Sequence, residues 1–174
     1  MRRWLGLCGA VAVLATAGCV KRSASVAPVN AFQRGEQVGL VLPQWPDGAA
    51  HDLAKDRGNV VLLDIWATWC EPCRDALPTY EKLQQAYGAR GLRVYAINMD
   101  EDPRQIAPFL QQVKVSLPIL LEQDGRVEQS LGVRLMPTTF LLDRQGRLRH
   151  RHEGFSEELV TKYQGEIEEL LAEP

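Results

Sequence analysis

Cysteine is scarce in this 174-residue chain: there are four, and only Cys70 and Cys73 lie beyond position 19. That excludes a multi-bridge disulfide framework, which spreads several cysteines along a small secreted domain. An excess of positive charge is missing as well. Lys and Arg number 20 against 22 Asp and Glu, for a formal net charge of −2, so there is no basic footprint for nucleic acid. The densest basic cluster is Arg147, Arg149 and Arg151; its alternate spacing predicts one exposed strand face, with an anion site as the alternative. Histidine is rare too, and His51, His150 and His152 have no metal-ligand spacing with the cysteine pair. No apolar run reaches the ~20 residues of a comfortable transmembrane helix. No internal repeat and no cofactor signature is visible, and neither metal nor cofactor is expected.

What is present reads as one globular domain behind an address. Hydrophobic residues make up 45% and charged residues 24%, an ordinary globular balance. A domain of about 130 residues can bury an adequate core without staples. Arg2 and Arg3 precede an uncharged, mostly apolar stretch at 4–18, WLGLCGAVAVLATAG, with the proportions of a signal peptide. Ala17 and Gly18 stand directly before Cys19. This resembles the lipobox of bacterial lipoproteins, departing from it at Thr16, where Leu is usual. The resemblance implies a signal peptide at 1–18, lipidation of Cys19, and attachment to a membrane of the bacterial envelope facing the periplasm. An ordinary secretory signal cut near Ala17 and an uncleaved anchor are the alternatives. Residues 19–37, rich in Ser, Ala, Pro and Gly, read as a tether. The domain is then 38–174.

Within the domain, strands and helices alternate. Val38–Leu42 and the Pro43–Gly48 turn signals predict an N-terminal hairpin ending near His51. Asp52–Arg57 predicts a short helical turn. Residues 60–66, VVLLDIW, have the continuous apolar character of a central strand buried on both faces. Cys70–Gly88 reads as a helix, with Pro78 as a kink. Strands are expected at 92–99, 116–121 and 138–142, and helices at 103–113, bent at Pro108, and at 127–131. A hairpin continues through 147–153, and Ser156 caps a last helix running to about Leu171. The class is α/β, with a mixed central sheet flanked by helices.

The chemistry sits in Trp69-Cys70-Glu71-Pro72-Cys73. A CxxC pair after a buried strand and at the start of a helix has a direct use. Backbone N–H groups and the helix dipole favour a thiolate. The Cys70 thiolate can attack a disulfide, and Cys73 can resolve the mixed disulfide that forms. Half a zinc site would need two more ligands. A purely structural bridge across two residues would stabilise little. Asp64 interrupts the buried strand six residues before Cys70. It is either structural or a group whose proton affinity burial has raised.

Two stretches, VVLLDIWATWCEPCRDALP and LMPTTFLLDRQGRL, resemble the thioredoxin superfamily, in particular its extracytoplasmic TlpA/ResA-type branch. The resemblance covers roughly residues 38–172. It implies a thioredoxin-like fold with a helix–strand insertion near 102–131. It implies a cis peptide before Pro137, with Pro137 packed beside the sulfurs. Trp69 and the Met136 backbone would then meet the substrate chain, and Asp64 would accept the proton of the second cysteine. A Glu three residues after the second cysteine, typical of ResA-type members, is replaced by Ala76, which leaves Asp64 as the candidate. The implied activity is reduction of disulfides in exported proteins, apocytochrome c among them, with a membrane thiol transporter as recharging partner. A peroxiredoxin-like peroxidase lacks its proline before Cys70. A copper chaperone would use wider cysteine spacing and a downstream His.

Overall fold

The computed structural model describes residues 32–122 and 124–174. The signal segment, Cys8, Cys19 and most of the expected tether lie outside the described residues. Strands β1 (Val41–Gln44) and β2 (Ala49–Asp52) form the N-terminal hairpin. β3 (Val60–Trp66), α1 (Cys73–Tyr87), β4 (Leu92–Asn98), α2 (Ile106–Val113), β5 (Ile119–Leu121) and α3 (Arg126–Leu131) alternate. β6 (Thr138–Leu142), β7 (Leu148–Glu153) and α4 (Glu157–Ala172) complete the fold. The sheet runs β2-β1-β5-β4-β3-β6-β7. β3 pairs parallel with β4 and antiparallel with β6, so the sheet is mixed, as expected.

β3 is the centre of the sheet, and every one of its residues is buried. The period-two geometry of a strand divides them between two cores. Val60, Leu62 and Trp66 pack with Cys73, Leu77, Tyr80 and Tyr163 on the α1–α4 side. Val61, Leu63 and Ile65 pack with Phe140, Val127 and Leu131 on the other. Asp64 shares the parity of Leu62 and Trp66. It therefore enters the same core as the redox pair, opposite Thr139 in the β3–β6 register.

Several boundaries differ from the sequence expectation, each for a local reason. The first strand of the hairpin starts three residues later, at Val41, with Val38 and Leu40 buried before it, while the hairpin ends at Asp52, beside the expected His51. α1 starts at Cys73, not Cys70. Pro72 disfavours a helical Glu71 before it, so residues 67–72 descend through turns instead: Cys70 N–H donates to the Ala67 carbonyl and Cys73 N–H to the Cys70 carbonyl, each at 3.1 Å. Pro108 puts no bend in a long helix. A separate 3-10 turn, Pro103–Gln105, is capped by Asp102, and α2 begins afresh at Ile106. Pro108 then falls in the first turn of α2, where no N–H is needed. β5 starts at Ile119 because Pro118 cannot donate to a ladder.

Arg147, just before β7, and Arg151 within it are exposed, as the alternate spacing predicts, but Arg149 between them is half-buried. A register shift between Leu141 and Leu142 breaks the alternation. Arg147 pairs with buried Asp143 at 2.9 Å, Arg149 forms two bonds to Glu173 at 2.6 and 2.8 Å, and Arg151 lies over the Phe140 ring. Burial pushes the Asp143 carboxyl up, but N–H donation from Arg147 and Gln145 and the Arg147 guanidinium outweigh it and hold the carboxyl below its ordinary range. Residues before position 38 also bond to the domain. Phe32 N–H donates to the Ser130 carbonyl at 2.8 Å, and Gln37 bridges to Arg147. These are backbone bonds, which a tether-like composition does not reveal.

Candidate active site

Cys70 and Cys73 are joined in a disulfide with Cα atoms 5.4 Å apart. Their surroundings are unequal. Cys70 keeps 5% of its surface exposed, while Cys73, the first residue of α1, has none. Beside Cys70, Trp69 projects with 68% exposure. Glu71 is exposed and meets Arg74 at 3.5 Å, and the Arg74 guanidinium lies 4.8 Å from the centre of the Phe109 ring. A groove of about 590 Å³ opens against Cys70, walled by Trp69, Pro72, Met99, Leu135 and Met136. Leu135 is 51% exposed. An apolar groove that reaches one sulfur and not the other can admit an extended chain to Cys70 only.

The Met136–Pro137 peptide is cis, as the resemblance implies, and so is Trp45–Pro46, where only a turn was expected. Thr138 donates its hydroxyl to the Leu135 carbonyl at 2.5 Å, and Gly154 N–H donates to the Pro137 carbonyl at 2.8 Å. These bonds tie the 135–138 bend to β7 and hold Met136 against the groove.

Asp64 is fully buried. Burial pushes its carboxyl well above the ordinary carboxylate range, and hydrogen bonding by the Thr139 and Tyr80 hydroxyls opposes this without overcoming it. Thr139 donates to Asp64 Oδ1 at 3.4 Å. Three residues escaped the sequence reading. Tyr80 is one of them, although it stands seven residues, two helical turns, after Cys73 on the same face. Asp100 and Asn98 carried no signal at all. Asp100 accepts from the Thr68 N–H at 3.0 Å, the Thr68 hydroxyl at 3.0 Å and Asn98 Nδ2 at 2.7 Å. It thereby anchors the turn that leads into the cysteines.

Among the described residues, no group of three or more His, Cys, Asp or Glu could hold a metal ion. His150 and His152 instead share Glu166, at 3.2 and 2.7 Å, and His51 pairs with Asp56 at 2.8 Å.

A mixed sheet with a CxxC disulfide at the start of a helix and a cis-proline bend beside it defines a thioredoxin-superfamily protein of the thiol–disulfide oxidoreductase class, TlpA/ResA-type. The chain belongs to the Redoxin family, which it matches over residues 25–167. It is 32% identical over 103 residues to "Thiol-disulfide oxidoreductase ResA" of Geobacillus thermodenitrificans, covering 59% of each chain. It is 34% identical over 126 residues to "Thioredoxin-like protein YneN" of Bacillus subtilis, covering 71% of this chain and 73% of that one. Among solved structures, it superposes with a TM-score of 0.76 on one assigned to a thiol:disulfide interchange protein DsbE from Chlorobium tepidum. That pair is 32% identical over 82% of this chain and all of the other. Among the described residues, no helix is long and apolar enough to cross a membrane.

Proposed function

We propose that this chain reduces disulfides of exported proteins outside the cytoplasm, apocytochrome c among them, while held to a membrane of the cell envelope by lipid on Cys19. The carrying observation is the asymmetry of the Cys70–Cys73 disulfide: one sulfur touches a substrate-sized groove and the other is sealed in the core. That is the division of labour between an attacking and a resolving cysteine.

In the reduced protein, the Cys70 thiolate attacks a substrate disulfide. A bond forms between Cys70 Sγ and one substrate sulfur, and the other substrate sulfur leaves as a thiolate and takes up a proton. Cys73 then gives its thiol proton to the Asp64 carboxylate, and its sulfur bonds to Cys70 Sγ. The Cys70–substrate bond breaks, and the second substrate sulfur leaves and is protonated. Two electrons pass from the dithiol to the substrate, and Asp64 returns its proton to solvent. Trp69 and Leu135 flank the incoming chain, and Met136 presents backbone to it as a short added strand. The step leaves the protein oxidised, so a thiol donor must restore it. A membrane thiol transporter, which the family resemblance implies, would fill that place.

Reduced protein is expected to accelerate insulin disulfide reduction at catalytic amounts while consuming no hydrogen peroxide and binding no copper or zinc stoichiometrically. Peroxide consumption without insulin reduction would overturn the reading. For the tether, mass spectrometry of envelope-extracted protein is expected to find a lipidated Cys19 as the first residue, and an unmodified start elsewhere would remove that part.

A further inference from the structure

The Asp64 carboxylate sits within a closed set of hydroxyls. Thr139 Oγ1 lies 2.8 Å from the Tyr80 hydroxyl, 3.4 Å from the Tyr163 hydroxyl and 3.4 Å from Asp64 Oδ1. These groups come from four elements, β3, β6, α1 and α4, and all four residues are buried to 0% exposure. Asp64 Oδ2 has no hydrogen-bond partner among the described residues. No lysine or arginine is buried among them either. The ionisable groups next in line, Glu166 and His152, lie beyond Tyr163, whose ring meets the His152 ring at 5.0 Å. Neither Coulombic attraction to a cation nor bulk water therefore governs this carboxyl.

Donor counting gives the cluster a direction. A hydroxyl has one proton to donate and two lone pairs to accept with. Thr139 has three neighbours. If Asp64 is ionised, Thr139 can give its one proton to Oδ1 while Tyr163 and Tyr80 donate to Thr139; the Tyr80 hydroxyl, which also bonds to the Asp64 carboxyl, can instead turn its proton to the carboxylate. Burial holds both phenols up, away from ionisation, so both remain donors. If Asp64 is protonated, Oδ1 loses its claim on the Thr139 proton. The 2.8 Å bond to Tyr80 is the anchor, because the two 3.4 Å contacts are long for O–H···O.

We propose that Thr139, oriented by Tyr80 and Tyr163, is a positioning residue for Asp64: its hydroxyl takes Oδ1, supports the ionised carboxylate and leaves Oδ2 free as the oxygen that exchanges a proton with the redox pair. Tyr80 couples this cluster to the chemistry, because it stands on the same buried face of α1 as Cys73. The proposal rests on the reading of the pair as a disulfide reductant, and its test has a readout that does not.

The protonated Asp64 carboxyl is followed by its infrared C=O band, assigned by its loss in Asp64→Asn. In parallel, release of a mixed disulfide with a small aromatic disulfide is followed from pH 5 to 9. Thr139→Val is expected to move the midpoint of the band upward by about one pH unit, the scale of one lost hydrogen bond to a charged group. It is expected to slow release about tenfold at neutral pH, with recovery in alkaline solution. Thr139→Ser, which keeps the hydroxyl, is expected to restore both. Tyr80→Phe is expected to shift the band in the same direction by less, and it carries the test if Thr139→Val does not fold. An unmoved midpoint and an unchanged pH profile in both hydroxyl-deleting variants would overturn the proposal. A shifted midpoint in a protein that exchanges no disulfide would instead sink the reductant reading and leave the positioning role standing.

Discussion

Cys70→Ser is expected to abolish disulfide reduction, with a loss on the order of 10³-fold or more, as when a nucleophile is removed from a covalent mechanism. Cys73→Ser is expected to behave differently. It should still attack, and then accumulate a covalent adduct that only added thiol releases. The reason is geometric: Cys70 lines the groove, whereas Cys73 has no exposed surface and can reach only Cys70. Non-reducing gels and intact mass measurements on the two variants, incubated with a protein disulfide, distinguish them. Adducts on Cys70→Ser and none on Cys73→Ser would reverse the assignment. Isolated from the native host, the Cys73→Ser adducts also carry the substrate with them.

The second large effect is on stability. Asp64 is a carboxyl whose proton affinity is raised by burial. Between the unfolded value, near 3.9, and the raised folded value, the native state holds a proton that the unfolded chain has lost. Stability therefore falls as pH rises through that window, opposite to the usual salt-bridged carboxylate. Above it, a buried charge is carried against little compensation. Asp64→Asn removes the charge at constant shape. In the oxidised protein near pH 8 it is expected to gain about 1–3 kcal/mol, the scale of an unsatisfied buried polar group, or roughly 3–9 °C in Tm. Below about pH 4 the gain should disappear, because both forms are then neutral. Thermal melts from pH 4 to 9 test this; parallel curves for the two proteins would refute the buried-charge account. The same variant should slow release of mixed disulfides at neutral pH, so a more stable and slower protein is the combined expectation.

Other parts of the fold show how much could be read in advance. β3 was legible because seven consecutive residues are buried, which no surface strand tolerates. β6 was legible through its Thr-Thr-Phe-Leu-Leu run after Pro137. α4 was legible through its cap, where Ser156 accepts from the Leu159 N–H. The errors cluster at prolines. At Pro72, Pro108 and Pro118 an element starts three residues later than expected, because an imide ring decides where regular bonding can begin rather than whether an element exists. The exposed face expected at Arg147, Arg149 and Arg151 departs only at Arg149, which lies where the register shifts between Leu141 and Leu142.

At the site, the sequence by itself determined the redox pair. Two cysteines flanked by Trp69 and Pro72, after a buried strand and before a helix, carry their chemistry in local order, and spacing of three suffices to bridge them. Asp64 was visible as an anomaly, since a carboxylate inside an apolar strand needs a reason. What surrounds it was decided only by tertiary structure. Thr139 and Tyr163 lie 75 and 99 positions away along the chain and reach Asp64 through the β3–β6 register and the packing of α4. The inequality of the two sulfurs is likewise tertiary, because the groove at Cys70 is walled from the 133–136 bend and the seal on Cys73 from the core behind α1. Local sequence can place a reactive group, but its exposure and proton affinity depend on atoms that only folding brings near.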